Sequence, residues 1–272
     1  MAANSAPCTS TDVDTLIVGK IIPTSIPEPI QTLQIYDKAT NKRVEADVLS
    51  LDSKTIRDRL TSTTTFITLQ QRDDSGNLKY LTASANLKRG TYIVTLDYTN
   101  FTTQDIQPED SCLGTVVGEI GVGLRITAEL VTTEGGVDLG GLLPISIAYQ
   151  GKKVSGNLRF YVYGMYNDKL CVAVPAVTTL DQSSIAKAFE AAAAVRVLFS
   201  ADDTTLEPYL IGVSHVPPSK AQPALNAARK ALVKRNLTVP AAPTTPSSPA
   251  PQSTAPAPAA TSPGISEPTT PK

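Results

Sequence analysis

The chain has 272 residues, and its 24 basic and 25 acidic residues give a formal net charge of −1. An apolar fraction of 41% is enough for a folded core in a chain of this length. Because the charges balance, no overall field draws the protein to nucleic acid or to an anionic membrane. We therefore expect no nucleic-acid partner, and membrane contact only through a local patch. No run of apolar residues reaches the roughly 18 that a transmembrane helix needs.

The first residues bear on where the protein works. Residues 1–11, which begin Met1-Ala-Ala-Asn-Ser, are predicted to be flexible and are typical of an exported chain whose signal peptide has been replaced by a Met. This interpretation predicts a periplasmic, cell-surface or secreted protein. The alternative is that Met1 is native, which predicts a cytoplasmic protein or a virion component.

Residues 12–103 are predicted to form a β-sandwich-like domain. Asp52 or Ser53 is a suitable N-cap for one short helix. The sequence Asp-Asp-Ser-Gly-Asn at 73–77 predicts a tight turn that joins two strands as a hairpin. Tyr92 follows a turn near the start of the last strand, an arrangement common in immunoglobulin-like sandwiches. Short alternating runs predict strands at 15–22, 32–36, 43–49, 64–71, 79–83 and 91–98.

The strongest periodic pattern of the chain lies between Val116 and Leu130. Even positions are apolar or glycine and odd positions are mostly polar, which predicts one long strand with a buried face and a solvated face. Glycines at 118, 121 and 123 fall inside this strand. They predict a bulge or a close approach of a neighbouring strand.

Residues 104–236 are predicted to form an α+β domain around the long strand. Further strands are predicted at 142–149, 154–166 and 209–216, the first two completing a β-meander. Helices are predicted at 182–199 and 219–235, and both should cover the apolar face of the sheet. Their inward side chains are expected to be Ile185, Phe189, Ala192, Val195 and Phe199 in the first, and Ala221, Leu225, Ala228 and Leu232 in the second.

The fold class that these elements predict is α+β and mainly antiparallel. A β-sandwich-like N-terminal domain is followed by a β-meander sheet covered by two helices. Residues 237–272 are predicted to be a disordered tail, since they consist almost entirely of Pro, Ala, Ser and Thr and have little apolar surface to offset the entropy cost of ordering. Such a tail is typical of a spacer that crosses a cell wall and of an acceptor for O-glycans; an inert solvated tail is the alternative.

Residue types suited to catalysis or metal binding are scarce. His215 is the single histidine, and without a Gly-x-Ser-x-Gly elbow we interpret it as structural. The sequence has neither a Cys-x-x-Cys nor a His pair, so we expect no metal and no other cofactor. Cys8 and Cys112 lie in polar loop sequence and are candidates for one disulfide in an oxidising compartment. Cys171 has apolar neighbours and is predicted to be a buried free thiol.

Two groups of side chains are candidates for an interaction surface. The first is a local concentration of aromatic residues on strands expected to be neighbours, which would suit a protein contact if exposed and the core if buried. It comprises Tyr149, Tyr161 and Tyr163. The second lies on the polar face of the long strand, where alternating charges on a solvated surface are expected rather than a catalytic cleft. It comprises Glu119, Arg125 and Glu129.

The scarcity of catalytic residue types predicts a non-enzymatic structural or binding protein of the bacterial cell envelope or surface. We expect it to act through protein–protein contacts, with a partner or by self-association. Three alternatives stay open. They are an oligomeric β-pore or secretion-channel component, a virion structural protein, and a hydrolase that uses the carboxylates or His215.

Overall fold

The predicted fold class, α+β and mainly antiparallel, is confirmed by a computed structural model. The structure describes residues 21–37, 39–81, 87–108, 113–216 and 220–233. The strands are β1 Ile22–Pro29, β2 Thr32–Asp37, β3 Lys42–Asp47, β4 Ser62–Arg72, β5 Leu78–Leu81, β6 Gly90–Ile106, β7 Val116–Thr132, β8 Val154–Tyr163, β9 Met165–Tyr166, β10 Val177–Thr179, β11 Thr205–Leu206 and β12 Tyr209–Ser214. The helices are α1 Ser53–Arg59, α2 Leu142–Gln150, α3 Asp168–Ala173, α4 Gln182–Phe199 and α5 Ala221–Leu232, with a 3-10 turn at Val48–Ser50.

One antiparallel sheet contains eight of these strands, and β7 is its branching point. β6 pairs with β7 along all 17 residues of both strands. The other edge of β7 is shared, because residues 117–121 pair with β12 and residues 123–132 pair with β8. The sheet therefore forks. One branch continues from β12 to β1 and the other from β8 to β10, while β4 and β5 follow β6 on the opposite side.

The predicted boundary at residue 103 falls inside β6. β6 and β7, on either side of the predicted boundary, pair residue by residue, so one sheet crosses it. The physical reason is that β6 and β7 are consecutive strands that pair with each other, so the polar composition between them does not mark a domain boundary.

The described residues form two large hydrophobic cores against the sheet and a small third cluster around Tyr163. The larger one joins the even-numbered side chains of β6 and β7, such as Leu96 and Ile126, to the buried faces of α2 and α4. The second joins α5 to β1, β12 and the β2–β3 hairpin. The predicted stripe of α5, namely Ala221, Leu225, Ala228 and Leu232, is buried there. The even face of the long strand is therefore the apolar face that the sequence predicted.

The predicted strand at 142–149 is wrong, because these residues form α2. Leu142, Ile145 and Ala148 recur at helical spacing and are buried in the larger core. β8 occupies the edge of β7 that the predicted strand would have needed. A short apolar run does not by itself distinguish a buried strand from a buried helix, and here tertiary packing decides.

The long helix α4 has the predicted bounds, and its N-cap is Asp181. Asp181 accepts a hydrogen bond from the backbone N–H of Ser184, which completes a capping box. Phe189, however, is 45% exposed rather than inward. Ala188 and Ala191 face the sheet instead, since their small side chains let the helix approach closely. None of the helices within the described residues combines the length and the apolarity needed to cross a membrane.

Two local predictions on the remaining elements have different outcomes. The Tyr92 corner forms, because the Tyr92 hydroxyl donates to the carbonyl oxygen of Lys88 at 2.8 Å and the ring is buried. Cys171 is exposed, so its predicted burial is wrong: it lies on the short helix α3, whose buried side chain is Leu170. The predictions for residues 1–20, for a Cys8–Cys112 disulfide and for the tail at 237–272 concern residues outside the described part of the chain.

Gly123 marks a close approach of β7 to β6, as the sequence predicted for one or more of these glycines. A Cβ atom on Gly123 would overlap the backbone carbonyl oxygen of Tyr98. We expect Gly123→Ala to lower the free energy of unfolding by about 1 to 3 kcal/mol or more, because backbone atoms must move apart. Denaturant unfolding measures the loss. Gly135→Ala is the control, since its Cβ would meet nothing closer than 3.6 Å, and an equal loss in both variants would contradict the contact.

Candidate functional site

A buried ion pair lies at the fork of the sheet. Arg125 on β7 and Asp97 on β6 face each other directly across the two strands. The guanidinium donates two parallel hydrogen bonds to the carboxylate, at 2.8 and 2.9 Å, and both side chains are almost fully buried. Burial raises the pKa of Asp97, and the neighbouring Arg125 opposes that rise by stabilising the ionised form. The geometry is the bidentate one in which charge-assisted hydrogen bonds are strongest.

The Arg125 guanidinium also ties the β12–β1 branch of the fork to β7. It donates to the backbone carbonyl oxygens of Thr24 on β1 and Ile211 on β12. Thr24 in turn donates its hydroxyl to the Ile211 carbonyl oxygen at 3.2 Å. One side chain therefore holds β6, β7, β1 and β12 together, at the point where β12 separates from β8.

Tyr163 fills the remaining space at the fork. Tyr163 lies on β8 opposite Gly123 of β7, and its hydroxyl is 3.5 Å from the nearer carboxylate oxygen of Asp97. Burial and then the Asp97 charge raise the pKa of Tyr163 well above the ordinary value, so this phenol stays neutral. Its ring lies 6.3 Å from those of Tyr161 and Tyr209. The missing side chain at Gly123 leaves room on this face of the sheet, where Tyr163 packs.

A cleft of about 760 Å³ opens beside the ion pair on the same face of the sheet. The floor of the cleft is the sheet itself, whose register aligns side chains of neighbouring strands in rows. One row is Thr95, Thr127, Arg159 and Val177, from β6, β7, β8 and β10. Residues 23–27 of β1 and one side of α5 form a wall, where Glu28 and Arg229 make an ion pair at 2.8 Å. A volume of this size is typical of ligand sites.

The lining of the cleft combines apolar and polar side chains. The apolar lining residues are Pro23, Ile26, Pro27, Leu78, Tyr80, Ile93, Phe160, Tyr161, Ala176, Val177 and Leu225. The polar ones are Thr24, Ser25, Gln70, Thr95, Arg125, Thr127, Glu129, Arg159, Gln222 and Arg229. Each arginine of the lining already pairs with a carboxylate. Arg159 pairs with Glu129 at 3.3 Å, and Arg125 and Arg229 make the ion pairs with Asp97 and Glu28 described above. The cleft therefore presents hydrogen-bonding groups on a surface whose charges are balanced.

The structure separates the predicted aromatic group. Tyr161 and Tyr163 are stacked on β8, with Tyr161 partly exposed at the cleft and Tyr163 buried at the fork. Tyr149 lies on α2 and packs against the larger core, so it takes no part in this surface. Tyr149 is separated from the other two tyrosines because α2 is a helix on the other face of the sheet.

The structure also corrects the predicted charged surface. Glu119, Arg125 and Glu129 do share the odd-numbered face of β7, but that face is not solvated along its length. Arg125 and Glu119 are buried and Glu129 is half-buried. The reason is that β1 and Tyr163 cover this face beside the fork, which the alternation of β7 alone does not reveal.

Glu119 has an incomplete set of hydrogen bonds. Ser214 donates its hydroxyl to Oε1 at 2.5 Å, whereas Oε2 is buried without a partner. Burial raises the pKa of Glu119, and the Ser214 hydrogen bond opposes that rise. The adjacent His215 is exposed and has a positive φ of 62°. The group is therefore a buried carboxyl beside a strained turn.

The residues named for a hydrolase are not gathered at one place. Glu119 and Glu129 are ten positions apart on one strand, which at the usual rise corresponds to about 33 Å. Glycoside hydrolysis requires carboxyl groups roughly 5 to 10 Å apart. Among the described residues, no group of three or more His, Cys, Asp and Glu side chains is arranged to hold a metal ion.

Comparisons with known proteins add no assignment. A scan against protein-family models, a search of the curated proteins and a search of the solved structures each found no match to this chain. The geometry of the cleft is therefore the basis for a functional proposal.

Sequence reasoning missed Asp97 and the β1 wall. Asp97 sits in the apolar run of β6, where one acidic residue between Leu96 and Tyr98 is the available signal of a buried partner for Arg125. β1 contains Pro23, Pro27 and Pro29, which hide its strand character. Proline is tolerated there because β1 is at the end of the sheet order.

The ion pair at the fork yields a stability prediction. Asp97→Asn leaves the buried Arg125 charge without its counterion, and we expect the free energy of unfolding to fall by about 3 to 5 kcal/mol. Denaturant unfolding at neutral pH measures this. Glu129→Gln is the control, because it breaks the more exposed ion pair with Arg159 and should cost no more than about 1 kcal/mol. Similar small losses in both variants would show that the buried pair is not the structural link.

Glu119 yields a pH prediction. Because its pKa in the folded protein is raised above the ordinary 4.5, folding favours the protonated form, and this contribution to stability is lost as the pH rises through the folded-state pKa. We expect Glu119→Gln to raise the free energy of unfolding at neutral pH by about 1 to 3 kcal/mol. The gain should shrink as the pH is lowered from the folded-state pKa towards 4.5 and should be absent below it. Denaturant unfolding across this range measures it, and a gain independent of pH would contradict the cause given.

Proposed function

We propose that this chain is a non-enzymatic binding protein that holds an extended peptide segment of a partner protein in the cleft. The observation that carries this proposal is the position of the cleft, which ends at the sheet-edge strand β10. Val177 of β10 lines the cleft and is exposed. A peptide that adds a strand at this edge would place alternate side chains in the cleft.

The backbone of β10 supports strand addition. Ala176 accepts a hydrogen bond from the Phe160 N–H at 2.9 Å, and Leu180 donates to the Gly156 carbonyl oxygen at 2.8 Å. Bonding alternates along an antiparallel pair, so Val177 and Thr179 direct their N–H groups away from β8. Among the described strands β10 pairs only with β8. Its outer edge thus offers main-chain donors beside the cleft.

The chemistry of the cleft supports a neutral, amphipathic ligand. Its charges are paired within the protein, so an anionic or cationic ligand would gain little without breaking an ion pair. The apolar lining residues suit aliphatic or aromatic side chains, and the polar lining residues suit amide groups. Burial raises the pKa of Tyr161, so its phenol is a neutral hydrogen-bond donor at the mouth of the cleft. A peptide segment has apolar side chains, amide groups and carbonyl acceptors, which complement these three features of the cleft.

We keep the bacterial cell envelope or surface as the proposed location, with the virion as the alternative. The composition of residues 237–272, rich in Pro, Ser, Thr and Ala, supports a spacer with acceptor sites for O-glycans. Mass measurement of the protein from its natural source tests this location. A processed N-terminus or glycans on the tail would support it, and an unmodified chain that retains Met1 would contradict it.

Selection from a displayed library of random peptides tests the binding function. We expect binders whose affinity for the full chain, measured by calorimetry with synthetic peptides, falls roughly three- to tenfold in Thr179→Pro, because the edge loses one N–H. Thr179→Ala is the matched control, since it keeps the N–H and should bind as the original chain does. The Val177 and Thr179 amides should also become protected from hydrogen exchange.

Failure of the library to yield a binder would contradict the binding function. If neither Thr179→Pro nor Tyr161→Ala changes the affinity for the selected peptides, the peptides bind elsewhere on the protein. Tyr36→Ala is the control for the tyrosine variant, because Tyr36 is comparably exposed on β2 and does not line the cleft.

A further inference from the structure

The outer face of α4 is unusual for a surface helix. Its buried face contacts the larger core through residues such as Ile185, Ala188 and Val195. The opposite face should then be polar. Instead, apolar side chains recur there at intervals of three or four residues, and Phe189 is 45% and Val197 71% exposed. We call this set, Ala186, Phe189, Ala193 and Val197, the α4 stripe.

The helices that pack against α4 also expose apolar side chains. Both α2 and α3 pack against α4. α2 exposes Leu143 and Ile147, one turn apart, and α3 exposes Val172 almost completely. Large exposed apolar patches of this kind mark interaction sites.

We propose that two copies of this chain pair through their α4 stripes as an antiparallel, two-fold symmetric dimer, with the axis passing beside Ala193. Such an interface requires one surface to be complementary to itself. The α4 stripe meets this requirement, because Phe189 and Val197 lie four residues to either side of Ala193. The small side chain of Ala193 at the crossing point lets the two helix axes approach closely.

The charged residue beside the stripe fits the same symmetry. Successive residues of a helix are rotated by about 100° around its axis. Arg196 and Phe189 therefore lie on the same flank of Ala193, rotated from it by roughly 60° and 40°. An antiparallel two-fold axis brings like flanks together at opposite heights. Arg196 of each copy then reaches the ring of Phe189 of the other copy, which gives two cation–π contacts. Within the described part of the chain Arg196 makes no ion pair, so it is available for this contact.

The opposite flank does not oppose the dimer. Glu190 lies there, three residues before Ala193, so the two Glu190 side chains are separated along the helix axis by about six residues, or roughly 9 Å. Each one faces Val197 of the other copy instead of a like charge. A second copy is thus a better occupant than a basic or acidic partner surface, because the centre of the stripe is neutral and each Arg196 meets an aromatic ring of the other copy.

Sedimentation of the full chain over a wide concentration range tests the dimer. We expect a species of twice the monomer mass, and Phe189→Arg should raise the dissociation constant by at least about thirtyfold because it places two charges in the interface. Arg196→Ala should raise it roughly two- to thirtyfold. Leu49→Arg is the matched control, since Leu49 is an apolar side chain 75% exposed on the 3-10 turn, outside the helix layer. It should leave the dimer intact.

Cysteine cross-linking tests the antiparallel arrangement. Ala193→Cys places a thiol beside the two-fold axis, so mild oxidation should link two copies well above the level of the unmodified chain. Gln182→Cys lies on the same helix face but eleven residues away, which separates the two thiols by about 33 Å in the antiparallel pair. It should not cross-link above that background. A parallel pair would link both variants.

Each adverse result overturns the proposal. A chain that remains monomeric at every concentration leaves the stripe to another protein or to a lipid surface. A dimer unaffected by Phe189→Arg lies elsewhere, and equal cross-linking through residues 182 and 193 excludes the antiparallel pair. Peptide binding in the cleft is unaffected by Phe189→Arg in any of these cases, so this test is independent of the proposed function.

Discussion

The guanidinium of Arg125 is the group on which the rest of this architecture depends. A sheet that forks leaves two strands diverging from one edge of β7, with main-chain groups at the divergence that need partners. Arg125 supplies donors to the carbonyl oxygens of Thr24 and Ile211 and is neutralised by Asp97. A buried charge is costly unless it is paired and hydrogen-bonded, and here both conditions are met at one point. The same contacts that satisfy the charge hold four strands in place.

The cleft follows from that link. Because β1 is tied to Arg125 through Thr24, residues 23–27 are held above the odd face of the sheet and form a wall. On the other branch, β8 carries Tyr161 and leads to β10 at the free edge. The space between the two branches is therefore bounded by fixed elements. The proposed recognition of an extended chain depends on this fixed wall and on the accessible edge of β10.

The two proposed surfaces lie on opposite sides of one sheet. The cleft uses the odd-numbered face of β7, whereas α4 covers the even-numbered face and turns its stripe outward. A dimer formed through α4 would leave both clefts open. Two peptide segments would then be held by one assembly, and linked sites of this kind bind a repeated or clustered partner more tightly than one site does.

The sequence by itself determined which residues share a face and where several elements begin. The alternation from Val116 to Leu130 placed Glu119, Arg125 and Glu129 on one side of β7, and the choice of Asp52 or Ser53 as N-cap located the start of α1 to within one residue. These are local properties, set by side-chain period and by hydrogen bonds within a few residues. Tertiary structure alone decided what covers each face. Thr24 reaches Ile211 across 187 positions of the chain, and no local pattern encodes that contact. The same limit explains Leu142–Gln150, whose apolar run becomes a helix because β8 already occupies the edge of β7, and Phe189, which points outward because the smaller Ala188 and Ala191 fit against the sheet.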